Sequence, residues 1–348
     1  MDSLTQIALG AAVGGAVAGR QFGRKAFAWG ALLGTLPDLD VFYSLGDPVS
    51  DFTYHRSATH SLLVHALAAL PIAWLLMRLH ADSRGQLARW TALVFLVLAT
   101  HALLDAFTVY GTQLLWPLDP TPVGWSTIFI IDPLYTLPLL AGVGLAVRRP
   151  PGLRANAIGL ALSSLYLLGT VGAKAVIDAR AREALAGQGL GSARVLSTPA
   201  PFNALLWRIV AVEPATYHEG YLSLLDPPGA LRFTSYPRHP ELLAPIADSA
   251  PVSRLDWFTR GFNAAALVTG DIVVTDLRMG LEPDYIFRFK VGRMSNPHAY
   301  PVPPERLPAQ RPMARVAWVW QRIFDPAAPP QPALQRPSQA PGGSASGR

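Results

Sequence analysis

The chain has 348 residues, enough for two domains of ordinary size. Hydrophobic residues make up 51% and charged ones 15%, against roughly 25% charged in soluble domains, so a membrane class is favoured from the outset. The net charge of +6 comes from basic residues scattered through short loops; no stripe follows a phosphate backbone, and nucleic acid is excluded as an expected partner. Cysteine is absent, which excludes a disulfide framework, a thiolate nucleophile and a Cys-ligated metal, so that any metal must use His, carboxylate or amide ligands.

The first residues, Met1-Asp2-Ser3, lack the basic region of a signal peptide, and no cleavage is expected. Stretches 4–19 and 26–37 are short and rich in Gly and Ala. Gly10, Gly14, Gly15 and Gly19 give a surface on which helices can approach closely, so these two stretches either span or dip in as a packed hairpin. The runs 62–79, 90–107, 128–147 and 155–177 are long and apolar enough to be membrane helices, measured against the roughly 20 residues a bilayer needs. If all six stretches cross, the loops at 20–25, 78–89 and 148–154 share a side and carry nine Lys and Arg residues. The opposite loops, 38–61 and 108–127, carry only Arg56. That bias puts the nine on the cytoplasmic side and everything after about residue 178 outside the cytoplasm.

Past 178 the texture changes. The runs 206–210, 271–275 and 285–291 alternate as half-buried strands do; in the last, Tyr285, Phe287, Phe289 and Val291 share one face and Arg288 and Lys290 the other. Glu213-Pro214 and the segment 280–284 read as hairpin turns. From about 326 the chain is Pro, Ala, Gln, Ser and Gly, a composition that cannot bury a core. The expected fold is α+β: a polytopic helical membrane domain of about six helices over 1–178, a mainly antiparallel β extracytoplasmic domain over 179–325, and a disordered tail over 326–348.

The chemistry concentrates at three helix ends on the non-cytoplasmic side: Asp38 and Asp40, then His55, Arg56 and His60, then His101 and Asp105. His101 and Asp105, four apart on a helix, share one face, as two ligands to one ion would. Zn²⁺ or Mn²⁺ accepts imidazole and carboxylate together, and a site with three or four protein ligands leaves room for water. Water acidified toward a pKa of ~7 would then serve hydrolysis. A hydrogen-bonded core pair is the plain alternative for His101 and Asp105, but ionisable groups inside membrane helices are costly and tend to mark functional paths. Asp40 is either a ligand or a loop cap. Arg56 either pairs with an anionic substrate through its planar fork or anchors a helix at the headgroups, and His55 stands beside it as an interfacial or substrate-facing group. Ser57 and Thr59 are expected as helix N-caps; His65 is either a support to the site or a packed core histidine. Asp2 and Gln6 are weaker candidates for an oxygen ligand, Asp132 is expected to complement a helix dipole, and Trp116 is a belt residue.

In these residues the chain resembles the YdjM-type family of inner-membrane, metal-dependent hydrolases. The shared pattern runs through Asp2-Ser3-Leu4-Thr5, Leu36-Pro37-Asp38-Leu39-Asp40, His55-Arg56 with Thr59-His60-Ser61, His101 with Asp105, and Leu114-Leu115-Trp116-Pro117, over roughly residues 1–147. The resemblance implies a metal at Asp38, His60, His101 and Asp105. Many family members carry His where this chain has Gln6, which leaves one nitrogen donor fewer. The reading is a membrane hydrolase using a water activated by one or two divalent ions, with Asp38, His60, His101 and Asp105 catalytic, the β domain packed over or beside the site, and an amphiphilic lipid or phosphoester as substrate. Its rivals are a non-catalytic metal-binding protein whose outer domain contacts a partner, and a transporter with a cation path.

Overall fold

The structure, a computed structural model, describes residues 1–148, 152–295, 298–309 and 314–328. Helix α1 (Ser3–Phe22) opens on Asp2, whose carboxylate accepts from the Thr5 amide at 3.1 Å and so caps the helix. Gly23, at φ +56°, turns the chain into α2 (Arg24–Leu33). The two helices meet backbone to backbone: a Cβ at Gly10 would stand 2.2 Å from the Gly30 carbonyl oxygen, and one at Gly14 2.4 Å from that of Ala26. The glycine surface read from the sequence is therefore the seam of a helical hairpin. Helix α2 stops at Leu33 rather than running to 37, and Pro37 begins a 3₁₀ turn, Pro37–Phe42.

A short helix not anticipated from the sequence, α3 (Pro48–Tyr54), follows under an Asp47 cap. After a second 3₁₀ turn, Ala58–His60, come α4 (Leu62–Leu79), α5 (Leu87–Ala106), α6 (Pro133–Arg148) and α7 (Leu153–Gly187). Among the described residues α4, α5 and α7 are long and apolar enough to cross a membrane, and α6 is a shorter apolar helix. The stretch 128–147 loses its first five residues as helix because Asp132 acts as a cap, its Oδ1 accepting from the Leu134 amide at 3.0 Å. The turns at the far end gather together. Lys25 pairs with Asp82 at 2.6 Å, and Arg24 donates to the Val147 carbonyl at 3.0 Å.

Helix α7 continues ten residues beyond the expected 177, so the boundary drawn at 178 falls inside a helix. The extension holds because Ile177 and Ala181 face a sheet, packing with Trp207, Ile209, Leu222 and Leu231. That sheet is antiparallel, β1 (Arg194–Pro199), β2 (Leu206–Val212), β3 (Thr216–Ser223) and β4 (Phe233–Pro237) in sequence order. Helix α8 (Ala250–Thr259) leads to β5 (Asn263–Val268), β6 (Asp271–Asp276), a small hairpin of β7 (Gly280–Leu281) and β8 (Asp284–Tyr285), then β9 (Arg288–Ser295) and β10 (His298–Arg306). The second sheet runs β10-β9-β6-β5, also antiparallel. The run 285–291 is divided between β8 and β9, while Phe289 and Val291 point into the core as the alternation required. Helix α9 (Ala314–Phe324) follows; most of the expected tail, residues 329–348, lies outside the described residues.

The β domain is not a separate bead. Val49, Phe52 and Tyr110 share one apolar core with Leu255, Phe258, Phe289 and Val291, so the loops at the head of the helical domain are packed against the second sheet.

Candidate metal centre

Three pieces of chain converge at the head of the bundle. The 3₁₀ turn after α2 supplies Asp38, the one before α4 supplies His60, and the last turns of α5 supply His101 and Asp105. One ligand atom from each lies within 4.8 Å of all the others. His60 Nε2 stands 3.1 Å from Asp105 Oδ2, 3.1 Å from His101 Nε2 and 3.4 Å from Asp38 Oδ1. His101 Nε2 is 3.5 Å from both Asp38 Oδ1 and Asp105 Oδ2. Four ligands at about 2.1 Å from a tetrahedral ion stand about 3.4 Å apart, so the spacing suits a Zn²⁺-sized cation. His60, His101 and Asp105 are buried, and Asp38, 25% exposed, is the open side of the group.

The surrounding hydrogen bonds set what these atoms are. His101 Nδ1 donates to the Gly34 carbonyl at 2.7 Å, which leaves a lone pair on Nε2. Thr59 Oγ1 donates to Asp40 Oδ2 at 2.7 Å and therefore accepts from His60 Nδ1 at 3.0 Å, leaving a lone pair on that Nε2 also. With both rings so fixed, two imidazole nitrogens and two carboxylate oxygens face one another as acceptors. A divalent cation at the centre of the group would relieve that mutual repulsion.

Asp40 is not part of the group. It accepts from His55 Nδ1 at 2.8 Å, from Thr59 Oγ1 and from the Arg56 amide at 3.3 Å. Burial works against its charge, but His55 and then Thr59 keep its carboxyl below the ordinary value. The expectation that Asp40 could ligate is thus corrected to a supporting place behind His60. Thr59 and Ser57 are not the helix caps expected of them: Ser61 caps α4, its Oγ accepting from the Val64 amide, and Thr59 links Asp40 to His60. His65 Nε2 donates to the Thr59 carbonyl at 2.7 Å, which makes it a support to the same link.

Arg56 is buried beside the centre, not extended to headgroups. Its Nε lies 3.2 Å from Asp105 Oδ2, its Nη1 donates to Thr108 Oγ1 at 3.1 Å, and its guanidinium lies over the Tyr110 ring. The residue adopts φ +63°, a left-handed conformation costly for any residue but glycine. Gln113 holds it there, donating from its backbone amide to the Arg56 carbonyl at 2.9 Å and from its side chain to the Thr53 carbonyl at 2.9 Å. Thr108, Tyr110 and Gln113 were not singled out in the sequence; the shared segment around Leu114-Leu115-Trp116-Pro117 was the nearest signal. That segment also closes the start of α4, where Leu62 N donates to the Leu114 carbonyl and Ser61 Oγ to that of Trp116. Asp2 is occupied as the α1 cap. Gln6 donates from Nε2 to Asp105 Oδ1 at 3.2 Å, and its Oε1 is buried without a hydrogen-bond partner. The Met1 amino group also contacts Asp105 Oδ1.

Fold and site together define a helical membrane protein with a buried His/Asp group, able to hold a metal ion, at the head of its bundle. All four members of that group fall in the segment matched by a family profile covering residues 1–179, just over half of the chain. The chain belongs to the YdjM inner membrane protein family. No curated protein and no solved structure matches it.

Proposed function

We propose that this protein is a membrane-bound, metal-dependent hydrolase in which Asp38, His60, His101 and Asp105 hold one divalent ion, Zn²⁺ or Mn²⁺, against a lipid or phosphoester substrate. The observation that carries this reading is the meeting of four potential ligand atoms at ligand spacing, with both imidazole Nε2 atoms turned inward and both Nδ1 atoms held by outer partners. A divalent ion there would acidify water and polarise a phosphoryl or carbonyl oxygen. Asp38 and Asp105 supply the negative charge that retains the ion, and the partial exposure of Asp38 gives a substrate its approach. Arg56 places a planar cation beside Asp105, and this favours a phosphoester over a neutral ester. His55, one residue away and partly exposed, borders the same approach.

In the membrane the chain makes about six crossings, with the nine basic loop residues on the cytoplasmic side and the centre and the β domain on the other. The gathering of Arg24, Lys25, Asp82 and Val147 at one end of the bundle supports this arrangement, because those turns belong to the three basic loops.

Elemental analysis of the purified protein beside His60→Ala tests the centre: about one ion per chain is expected in the wild type and none in the variant. Metal-loaded protein should then turn over members of a phosphoester and phospholipid panel, with activity lost in Asp38→Ala and His101→Ala while both remain folded. A wild type that binds metal and leaves the whole panel untouched would point to the non-catalytic role instead.

A further inference from the structure

Helix α9 has two apolar faces, and only one is used by the β domain. Its inner face packs Val319 and Ile323 on Ala200 and Leu206, and Arg322 closes on the Asp226 carboxylate with contacts of 2.9 and 2.8 Å. Its outer face presents Trp320 and Phe324, four residues apart and 48% and 70% exposed. Two more exposed leucines, Leu205 and Leu225, lie in adjoining loops joined by the Leu224 amide and the Leu205 carbonyl at 2.9 Å.

The level of this patch is fixed by two contacts with the helical domain. Phe202 meets Phe129, just before α6 begins, with ring centroids 5.8 Å apart. Lys174 on α7 donates to the Ser197 carbonyl at 2.8 Å, and the stretch of α7 from Leu153 to Lys174 measures about 32 Å at helical rise, the thickness of a bilayer's hydrocarbon core. Residues 197–206 therefore sit where α7 leaves the apolar layer and α6 enters it, and α9 rests on that segment.

We infer that α9 lies along the bilayer surface, with Trp320 and Phe324 set into the headgroup and upper acyl region, so that the β domain is fastened to the membrane by α9 as well as by α7. A lipid surface is the occupant because α9 rests on the segment that meets α7 at Lys174 and the approach to α6 at Phe129, and an indole beside a benzyl group suits a headgroup boundary. The anchor is independent of any hydrolase activity.

The chain contains no cysteine, so Trp320→Cys, Phe324→Cys and Gln321→Cys each give one nitroxide position in the full-length protein, reconstituted in nanodiscs of phosphatidylethanolamine and phosphatidylglycerol. Labels at 320 and 324 should be relaxed severalfold more by lipid-soluble oxygen than by a water-soluble nickel chelate, with the preference reversed at 321. Equal access of the nickel chelate to all three positions would overturn the inference. So would protection of 320 and 324 from both reagents, since that result means protein covers the face.

Discussion

Thr59 links Asp40 to His60: its hydroxyl donates a hydrogen bond to Asp40 and accepts one from His60. Replacing it with Val keeps the shape and removes both bonds, freeing the His60 ring to change tautomer. Metal affinity should fall about 10–100-fold, the usual effect of losing an outer-shell partner, and Thr59→Ser should restore it. Chelator competition measures both, and an unchanged affinity in Thr59→Val would mean that the link does not orient His60. Arg56 permits a complementary test. Arg56→Lys retains charge beside Asp105 but loses the planar fork, so turnover of a phosphoester should drop while bound metal stays; Arg56→Ala leaves Asp105 short of a buried partner and should cost about 3–5 kcal/mol of stability. The four-residue spacing of His101 and Asp105 was legible because a helix period fixes which side chains align. Asp38 and Asp40 were not separable on the same grounds. In the 3₁₀ turn they occupy, successive side chains advance by about 120°, so residues two apart point in different directions, and nothing in Pro-Asp-Leu-Asp announces that turn over an extended loop.

Helix α3 has only seven residues, too few for a periodic pattern to stand out, yet it joins Asp40 to His55 and carries the contact with the β domain. Phe52 on α3 packs against Tyr110, Phe258, Phe287 and Phe289, with ring centroids 4.4 to 5.3 Å apart. Phe52→Ala should destabilise the protein by about 3–5 kcal/mol through the cavity it leaves, and metal affinity should weaken with it, because α3 fixes the loops that position His60 and Arg56. Thermal unfolding with a parallel metal titration checks this, and a loss of stability with unaltered affinity would show that α3 is a passive spacer. The long helices were readable because apolar composition alone locates them; α4 follows its predicted range of 62–79. The end of α7 was not, since its polar last third becomes helical only by packing Ile177 and Ala181 on a sheet distant in sequence.

At the scale of the whole molecule, the β domain grips the head of the bundle with three arginines: Arg254 donates to Thr53 Oγ1 at 2.5 Å, Arg278 to the Tyr110 carbonyl at 3.0 Å, and Arg260 to that of Pro122. Tyr110 in turn lies under Arg56, so the domain after residue 179, beyond the family match, touches the neighbourhood of the centre. Sequence alternation located several of its strands, but pairing them required contacts between distant residues that no local pattern encodes. This joint makes the sidedness of the two parts one question. If the nine basic loop residues face the cytoplasm, Asp248→Cys in the β domain should react with a membrane-impermeant maleimide in intact spheroplasts, and Arg84→Cys in the loop after α4 only once the membrane is opened. Both positions are exposed and the chain brings no other thiol. The reverse labelling would place the β domain in the cytoplasm, and with it the open side of Asp38, so that a substrate would have to reach the centre from the inner leaflet.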